Sequence, residues 1–365
     1  MNIRSETATH GAQASAPPPA RILIFRRGSI GDAIVSIPAL NYIRNKYAGR
    51  EIICLSNSPV MEAASPVKSV LENSGLIDDF IDLPPGGGGI QSLRHRINLI
   101  RGLKCQAAIY LSEPSPRSAL AKEMLFFKLC GIPTILGLPF GGALRSYRHA
   151  GENLWESESA RLLRVVGGVG APEPDWSFQF TDQEHQTAQD LLHGLAGAKG
   201  HVAFSIGAKL PDKDWGDANW IQVLGALTKR YPQLGLVSVG ASEEHGRTEQ
   251  VTRGWTGPKV NLCGTSEARI SALAMQGAVF YLGHDSGPMH LAALAGTSCI
   301  AIFSARAKPG VWFPHGEGHH IFYPWDLAAE VTAKAGFRTA GQSIQAITPP
   351  EVIEAAIAAL EQKVG

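Results

Sequence analysis

From Arg21 onward, short apolar runs alternate with amphipathic stretches of helix length. Residues 22–25, 52–55, 80–83 and 107–111 read as strands in the first part of the chain. Residues 201–205, 234–239, 260–262, 278–282 and 299–303 read as strands in the second. Such alternation predicts parallel sheets covered by helices on both faces. The expected fold class is α/β, with two similar doubly wound halves facing one another across a cleft. The segment 170–175, Gly-Ala-Pro-Glu-Pro-Asp, reads as the linker between them. The expected boundaries are a disordered tail over 1–20, halves over 21–172 and 173–349, and an Ala-rich helix over 350–365 that packs back on the first half. The run Pro84-Pro85-Gly86-Gly87-Gly88-Gly89 follows the third strand, at the end where open α/β sheets bind ligands, and reads as a flexible lid.

Composition narrows the function classes. A chain of 365 residues suits two domains, and 44% hydrophobic residues can bury a sizeable core. A net charge of +1 gives no general attraction to nucleic acid, so any cationic site must be local. The five cysteines are scattered, with no C-x-x-C spacing, and read as buried thiols in a reducing compartment. Residues 1–20 lack the apolar core of a signal peptide, and no stretch of 18 apolar residues follows. The expected location is the cytoplasm.

The chemistry concentrates after strands. The stretch 282–296 breaks from an apolar run into a glycine turn that opens a helix, with Pro288 read at its first position. The amides of Gly287, Met289 and His290 would converge on a phosphate at the positive end of the helix dipole, beside Asp285. Simple capping of the helix by Asp285 or Ser286 is the competing interpretation. After the first strand, Arg26 to Leu40 also forms a glycine turn into a helix, without the spacing of a dinucleotide or ATP phosphate loop. Asp32 there is a candidate general base, and equally a helix cap. Lys213, with Lys209 nearby, is the cation expected at a diphosphate. The flanking Asp212 and Asp214 formally spell D-x-D, but the intervening lysine argues against a metal. His315-Gly316-Glu317-Gly318-His319-His320 reads as a polar loop. Glu243, at the end of another strand, is a candidate for ribose hydroxyls and equally a first-turn glutamate that favours the helix dipole. Arg94, His95, Arg96, Arg101 and Arg117 concentrate positive charge in the first half.

Together these segments resemble the ADP-heptose:lipopolysaccharide heptosyltransferases, glycosyltransferase family nine. The resemblance rests on residues 22–40, on Pro116 to Leu120, on Lys213-Asp214-Trp215, and on Cys263 to Ser266 followed by Asp285 to Ala293. It implies a GT-B fold of two Rossmann-like domains, the first binding the acceptor and the second the sugar nucleotide. It implies that Asp32 deprotonates an acceptor hydroxyl in an inverting transfer and that Lys213 stabilises the departing diphosphate without a metal. Lys209, Glu243, Gly264, Asp285, Ser286, Gly287, Met289 and His290 would hold the donor; Gly31, Arg94, Arg96 and Arg117 would hold an anionic glycolipid or surface-glycan acceptor. No cofactor is implied beyond the nucleotide-sugar substrate, with ADP as its nucleotide. The implied setting is a monomer at the cytoplasmic face of the inner membrane, with no nucleic-acid partner. One departure concerns the turn after the last core strand, where the family's acidic T-D-P is replaced by Ser304-Ala305-Arg306-Ala307-Lys308-Pro309, reversing the local charge. That leaves the transferred sugar open. A sugar-nucleotide epimerase of the same fold and a non-catalytic nucleotide-sugar binder remain the alternatives.

Overall fold

The computed structural model describes residues 20–57, 65–83, 89–167, 173–208, 210–326 and 343–364. The tail 1–19, most of the Pro-Gly lid, the first part of the linker and Lys209 therefore lie outside the described residues. In chain order the first half holds β1 (Arg21–Phe25), α1 (Ile30–Val35), α2 (Ile37–Lys46), β2 (Glu51–Asn57), α3 (Lys68–Leu71), β3 (Asp79–Leu83), α4 (Gly89–Gly102), β4 (Ala107–Tyr110), α5 (Arg117–Leu129), β5 (Thr134–Leu136), α6 (Gly142–Arg145) and α7 (Glu158–Gly167). The second holds α8 (Asp182–Leu191), β6 (His201–Ser205), α9 (Asp217–Arg230), β7 (Gly235–Ser238), α10 (His245–Val251), β8 (Lys259–Asn261), α11 (Ala268–Met275), β9 (Tyr281–His284), α12 (Gly287–Leu294), β10 (Cys299–Ile302), β11 (His320–Phe322) and α13 (Pro349–Val364).

The strand orders are β3-β2-β1-β4-β5 and β11-β10-β9-β6-β7-β8, and every ladder between these strands is parallel. The second order is the arrangement of a six-stranded Rossmann sheet, and the first is the same pattern one strand short. The central strands are mostly apolar because helices cover both faces, with Ser205, Ser238 and His284 buried at their carboxyl ends; β4, β7, β9 and β10 are buried along their whole length. Two three-residue edge strands, β5 and β11, were not among the expected strands. Both are half-exposed, so no apolar run marks them. β9 begins three residues later than its apolar run suggests and includes His284. Ala278, Val279 and Phe280 are buried ahead of the ladder.

One apolar core runs through both halves, joining Ile22, Ile34 and Leu40 to Met289, Leu291 and Ala301. Separate cores fill the outer faces, one beneath α4 and α5, the other between β6 and the helices α9 and α13. The last helix corrects an expectation. Val352, Ala356 and Leu360 recur every four residues and form a stripe buried against the core of Trp220 and Leu227, so α13 packs on α9 and β10 of the second half instead of returning to the first. The halves are tied elsewhere. The Trp155 N–H donates to Pro309 O and the Glu158 N–H to Val311 O, both at 2.9 Å, and the Lys308 ammonium sits 3.5 Å from the centre of the Trp155 ring.

Candidate functional site

Each sheet reverses its strand order between its first and fourth strands, the place where loops part and ligands enter α/β folds. In the first sheet this point lies between β1 and β4, in the second between β6 and β9. Asp32 follows β1, Lys213 follows β6 and Asp285 directly follows β9, so the two reversal points carry the candidate chemistry.

In the first half the charge is built into the frame. Arg26 is wholly buried; its Nε donates to the Asp32 main-chain oxygen at 2.9 Å and its Nη1 to Leu111 O at 2.5 Å. The Asp32 carboxylate accepts the Ser29 N–H at 2.9 Å and lies 3.4 Å from Arg26 Nη2. Ser29, not Asp32, is the N-cap of α1; Asp32 stands in the first turn and returns a bond to the cap residue, which leaves about a fifth of its side chain, 21%, exposed. Gly28 is obligatory: φ is +131°, and a Cβ would fall 2.1 Å from the Asp32 Cγ. Glu113, after β4, was not singled out by sequence. It is exposed at the residue level, yet desolvation by the surrounding protein, then the charges of Asp32 and Glu158, raise its carboxyl above the usual range. Behind it Glu158 and Arg161 form a fully buried pair at 2.6 Å.

In the second half the charges meet as ion pairs between loops. Lys213 Nζ reaches Asp285 Oδ2 at 2.6 Å, Arg306 reaches Asp212 at 2.6 Å, and Arg247 reaches Asp214 at 2.7 Å. Three consecutive residues thus bind three different elements, and both carboxylates of the formal D-x-D are engaged by arginines. Burial opposes ionisation of Asp214, but the Arg247 hydrogen bonds outweigh it and hold the carboxyl below its usual range. His284 fastens the same loop: its Nε2 accepts the Trp215 N–H at 3.0 Å, which leaves Nδ1 to donate to Gly207 O at 3.3 Å. Burial pushes this imidazole down to about 4.

Ser286 precedes α12, and Pro288 is its second residue, one place later than expected. The Ser286 hydroxyl turns back to His284 O at 3.3 Å and does not cap the helix. The first-turn amides therefore face the cleft end of the helix without a side-chain cap. Met289 is buried in the core and His290 nearly so, which leaves their main-chain groups as the parts relevant to an anion. Burial pushes the His290 imidazole down to about 4, with Asp285 and Asp32 opposing the shift and Lys213 adding to it. Gly31 serves the contact between helices: a Cβ there would lie 3.1 Å from the His290 ring, and one on Gly287 would lie 3.1 Å from Ile30. α1 and α12 meet through these two glycines.

A cavity of about 440 Å³ opens beside that contact, lined by Ser29 and Ile30 of the first half and by Gly207, Glu243, Arg247 and Ser286 of the second. It has the size of a small-ligand site. A cavity of about 730 Å³ lies at the amino ends of β10 and β11, against α13. The smaller one is the functional candidate because it sits at the carboxyl ends of the strands. Glu243 lines it but is exposed; its neighbour Glu244, which sequence missed, turns inward, accepts the Ala241 N–H at 2.9 Å, and has its pKa raised by burial. Gly264, at φ +72°, passes against Ser242 and supports the turn, whereas Ser266, Ala268 and Ser271 supply the wall from that segment. Arg94 and Arg117 are exposed on α4 and at the start of α5, and Arg96 is half-exposed. Nearer β1, Arg27 reaches Ser115 at 3.3 Å and Glu123 at 3.0 Å. Among the described residues no group of three or more His, Cys, Asp or Glu side chains is placed to share a metal ion. His319 instead accepts the Cys299 N–H at 3.0 Å, and His315 stacks on Trp176.

Residues 145–330 match the family model described as glycosyltransferase family 9 (heptosyltransferase). The chain is 25% identical over 195 residues to lipopolysaccharide heptosyltransferase 3 of Escherichia coli K12, a match covering 49% of this chain and 53% of that protein. The chain thus spans about half the length of this curated relative. Three solved structures share the fold. The family 9 glycosyl transferase of Veillonella parvula DSM 2008 has a TM-score of 0.73 at 18% identity, covering 96% of this chain and all of its own, 100%. The ADP-heptose lipopolysaccharide heptosyltransferase II of E. coli has a TM-score of 0.64 at 18% identity, with 94% and 100% covered. The E. coli heptosyltransferase WaaC with ADP follows at 0.58 and 17% identity, with 88% and 99% covered.

Proposed function

The chain belongs to glycosyltransferase family 9, the heptosyltransferases, and from that premise we propose that it is an inverting glycosyltransferase moving heptose from ADP-heptose to a lipopolysaccharide-core or related surface-glycan acceptor. One observation carries the reading. A fixed carboxylate, Asp32, and an exchangeable cation, Lys213 on Asp285, stand at the reversal points of the two sheets, beside a cavity walled by their neighbours Ser29, Ile30, Ser286 and Gly287 and by none of the three themselves. In this reading the acceptor hydroxyl loses its proton to Asp32, its oxygen bonds to the anomeric carbon, and the bond from that carbon to the diphosphate breaks with inversion. Charge grows on the leaving diphosphate. Lys213, drawn from Asp285, and the α12 amides would stabilise it, which is the preorganised electrostatics that such a step needs. Asp285, released, would accept sugar hydroxyls, and Glu243 ribose hydroxyls. In this reading Lys213 and the α12 amides meet the diphosphate, and no metal takes part. The protein would act as a monomer at the cytoplasmic face of the inner membrane on an anionic glycolipid.

The test is calorimetric titration with ADP, UDP, GDP and NAD, followed by ADP-heptose transfer. ADP should bind selectively, and Lys213→Ala should weaken it by about tenfold or more, the loss of a charge-assisted contact. Asp32→Asn should leave ADP affinity unchanged and lower kcat by roughly 10² to 10⁴. A preference for UDP or GDP discards ADP-heptose as donor; binding of NAD alone, or full transfer by Asp32→Asn, overturns the reading.

A further inference from the structure

Of the ten large apolar side chains strongly exposed among the described residues, seven share one stretch of the first half: Ile90, Leu93 and Leu99 on α4, Met124, Leu125 and Leu129 on α5, and Leu136 on β5. α4 and α5 cover the same face of the first sheet, their inner sides sharing a core with Ile100, Leu120 and Phe127. Arg101 Nη2 bridges them by donating to Leu129 O at 2.6 Å. The outer side of α5, which carries Leu125 and Leu129, and the adjoining flank of α4 therefore form a continuous surface; Leu93 stands on the Ile97 and Ile100 side of α4, and Leu136 on the sheet face opposite Ile135. A helix that needed only to face water would carry polar residues at these positions.

The same surface is cationic. α4 carries Arg94, Arg96 and Arg101 and no acid; α5 carries Arg117, Lys122 and Lys128 against Glu123, which is turned to Arg27 at 3.0 Å. In a chain of net charge +1 this is a marked local excess. Apolar side chains set among arginines and lysines suit a lipid interface, where the apolar tips enter the acyl boundary and the cations meet headgroup phosphates. An acidic protein partner would match the charge but not the breadth of exposed aliphatic surface.

We propose that the α4–α5 face is a docking surface for an anionic lipid bilayer. Both helices start beyond the carboxyl ends of β3 and β4, the same end of the sheet that carries Asp32. The cleft mouth thus lies at the rim of the docked face, and an acceptor anchored in the bilayer reaches Asp32 with its lipid still in place. That final step rests on the function proposed above; the docking does not.

Co-sedimentation of the full chain with phosphatidylglycerol/phosphatidylcholine vesicles and with pure phosphatidylcholine vesicles tests it, ADP affinity being measured in parallel. The chain should bind the anionic vesicles only, and rising salt should weaken the binding. Leu125→Ser/Leu129→Ser and Lys122→Glu/Lys128→Glu should each reduce it by about tenfold or more. Ile221→Ser, an equally exposed change on α9, should not, and ADP affinity should be the same in all. Equal binding to both vesicles, no binding, or unchanged binding by the leucine variant overturns the proposal. So does a dimer in sedimentation velocity that Leu125→Ser dissociates, since the face would then be an interface between copies. Vesicle binding without ADP binding would sink the proposed function and leave the docking surface standing.

Discussion

The two reversal points hold their charges in opposite ways. Around β1 the charged groups are locked: Arg26 is fully buried and bonded to two main-chain oxygens, and Asp32 is held by the Ser29 N–H. Around β6 and β9 the charges are held mainly by ion pairs between loops, Lys213–Asp285, Asp212–Arg306 and Asp214–Arg247, with Arg247 also on Asp217 and Asp214 also accepting the Gly216 N–H. Five of these six side chains are at least a fifth exposed, Lys213 at 20% and Arg306 at 31% among them; Asp285 alone is more deeply buried. A group that takes a proton must be positioned before substrate arrives. A cation that meets a diphosphate can be kept on a carboxylate until the stronger anion displaces it. The difference matches the two tasks the reading assigns to the halves.

The contrast breaks most visibly if the locked arginine is removed. Arg26→Met keeps the unbranched apolar stem, is shorter by the guanidinium, and leaves Leu111 O and Asp32 O without their buried donor. We expect a loss of about 3 kcal/mol in unfolding free energy, read from denaturant midpoints. A loss under about 1 kcal/mol, the range of exposed ion pairs, would show that the first half is held no more rigidly than the second.

Acid probes the second half, through His284 on the Trp215 loop and His290 beside Gly31. His284 and His290 have their pKa values pushed down to about 4 by burial, against an ordinary 6.5. Between those values the unfolded chain binds protons that the folded chain refuses, so the folded state is favoured fully above about pH 6.5 and loses stability as pH falls toward 4. Unfolding free energy measured at pH 7, 5.5 and 4.5 should decline in that order. His284→Asn, whose amide oxygen can still accept the Trp215 N–H, should flatten the slope. A flat profile in the parent chain would mean that these imidazoles are not held neutral.

Much of this frame is readable from residue order, and the reasons it stops are physical. Strands such as β4 and β10 are apolar at every position because both faces are covered, so their runs stand out. β5 and β11 are edge strands of three residues with one side open, and nothing in their composition separates them from loops. The positions of Asp32, Lys213 and Asp285 beyond β1, β6 and β9 are legible because the apolar runs of those strands mark where each one ends. Their partners are not, since Lys213 and Asp285 are 72 residues apart and meet only after the sheet forms. Adjacent like residues are harder still. Arg26 is buried and Arg27 half-exposed, and Glu244 turns inward while Glu243 faces solvent. In each case the choice depends on the turn that carries them, not on the residue type. The roles of Gly31 and Gly287 follow from the approach of two helices distant in sequence, which no local pattern reports.

The reversed charge after the last core strand gives the finest test of the comparison. Arg306 stands where the family's T-D-P turn is acidic, and its guanidinium lies 2.6 Å from Asp212, beside Lys213. If this pair is a store of exchangeable charge, as the contrast requires, it should behave asymmetrically. Arg306→Gln should weaken ADP binding by about two- to fivefold, the worth of a partly exposed ionic contact. Asp212→Asn should strengthen binding by a similar factor, because the arginine no longer has a carboxylate to leave. A pair that merely shapes the loop would respond with the same sign to either change, weakening ADP in both. Titration of the two variants with ADP, and with adenosine as the control without phosphates, separates the cases. Equal losses for ADP and adenosine would assign Asp212 and Arg306 to the loop's architecture and confine the exchangeable charge to Lys213 and Asp285.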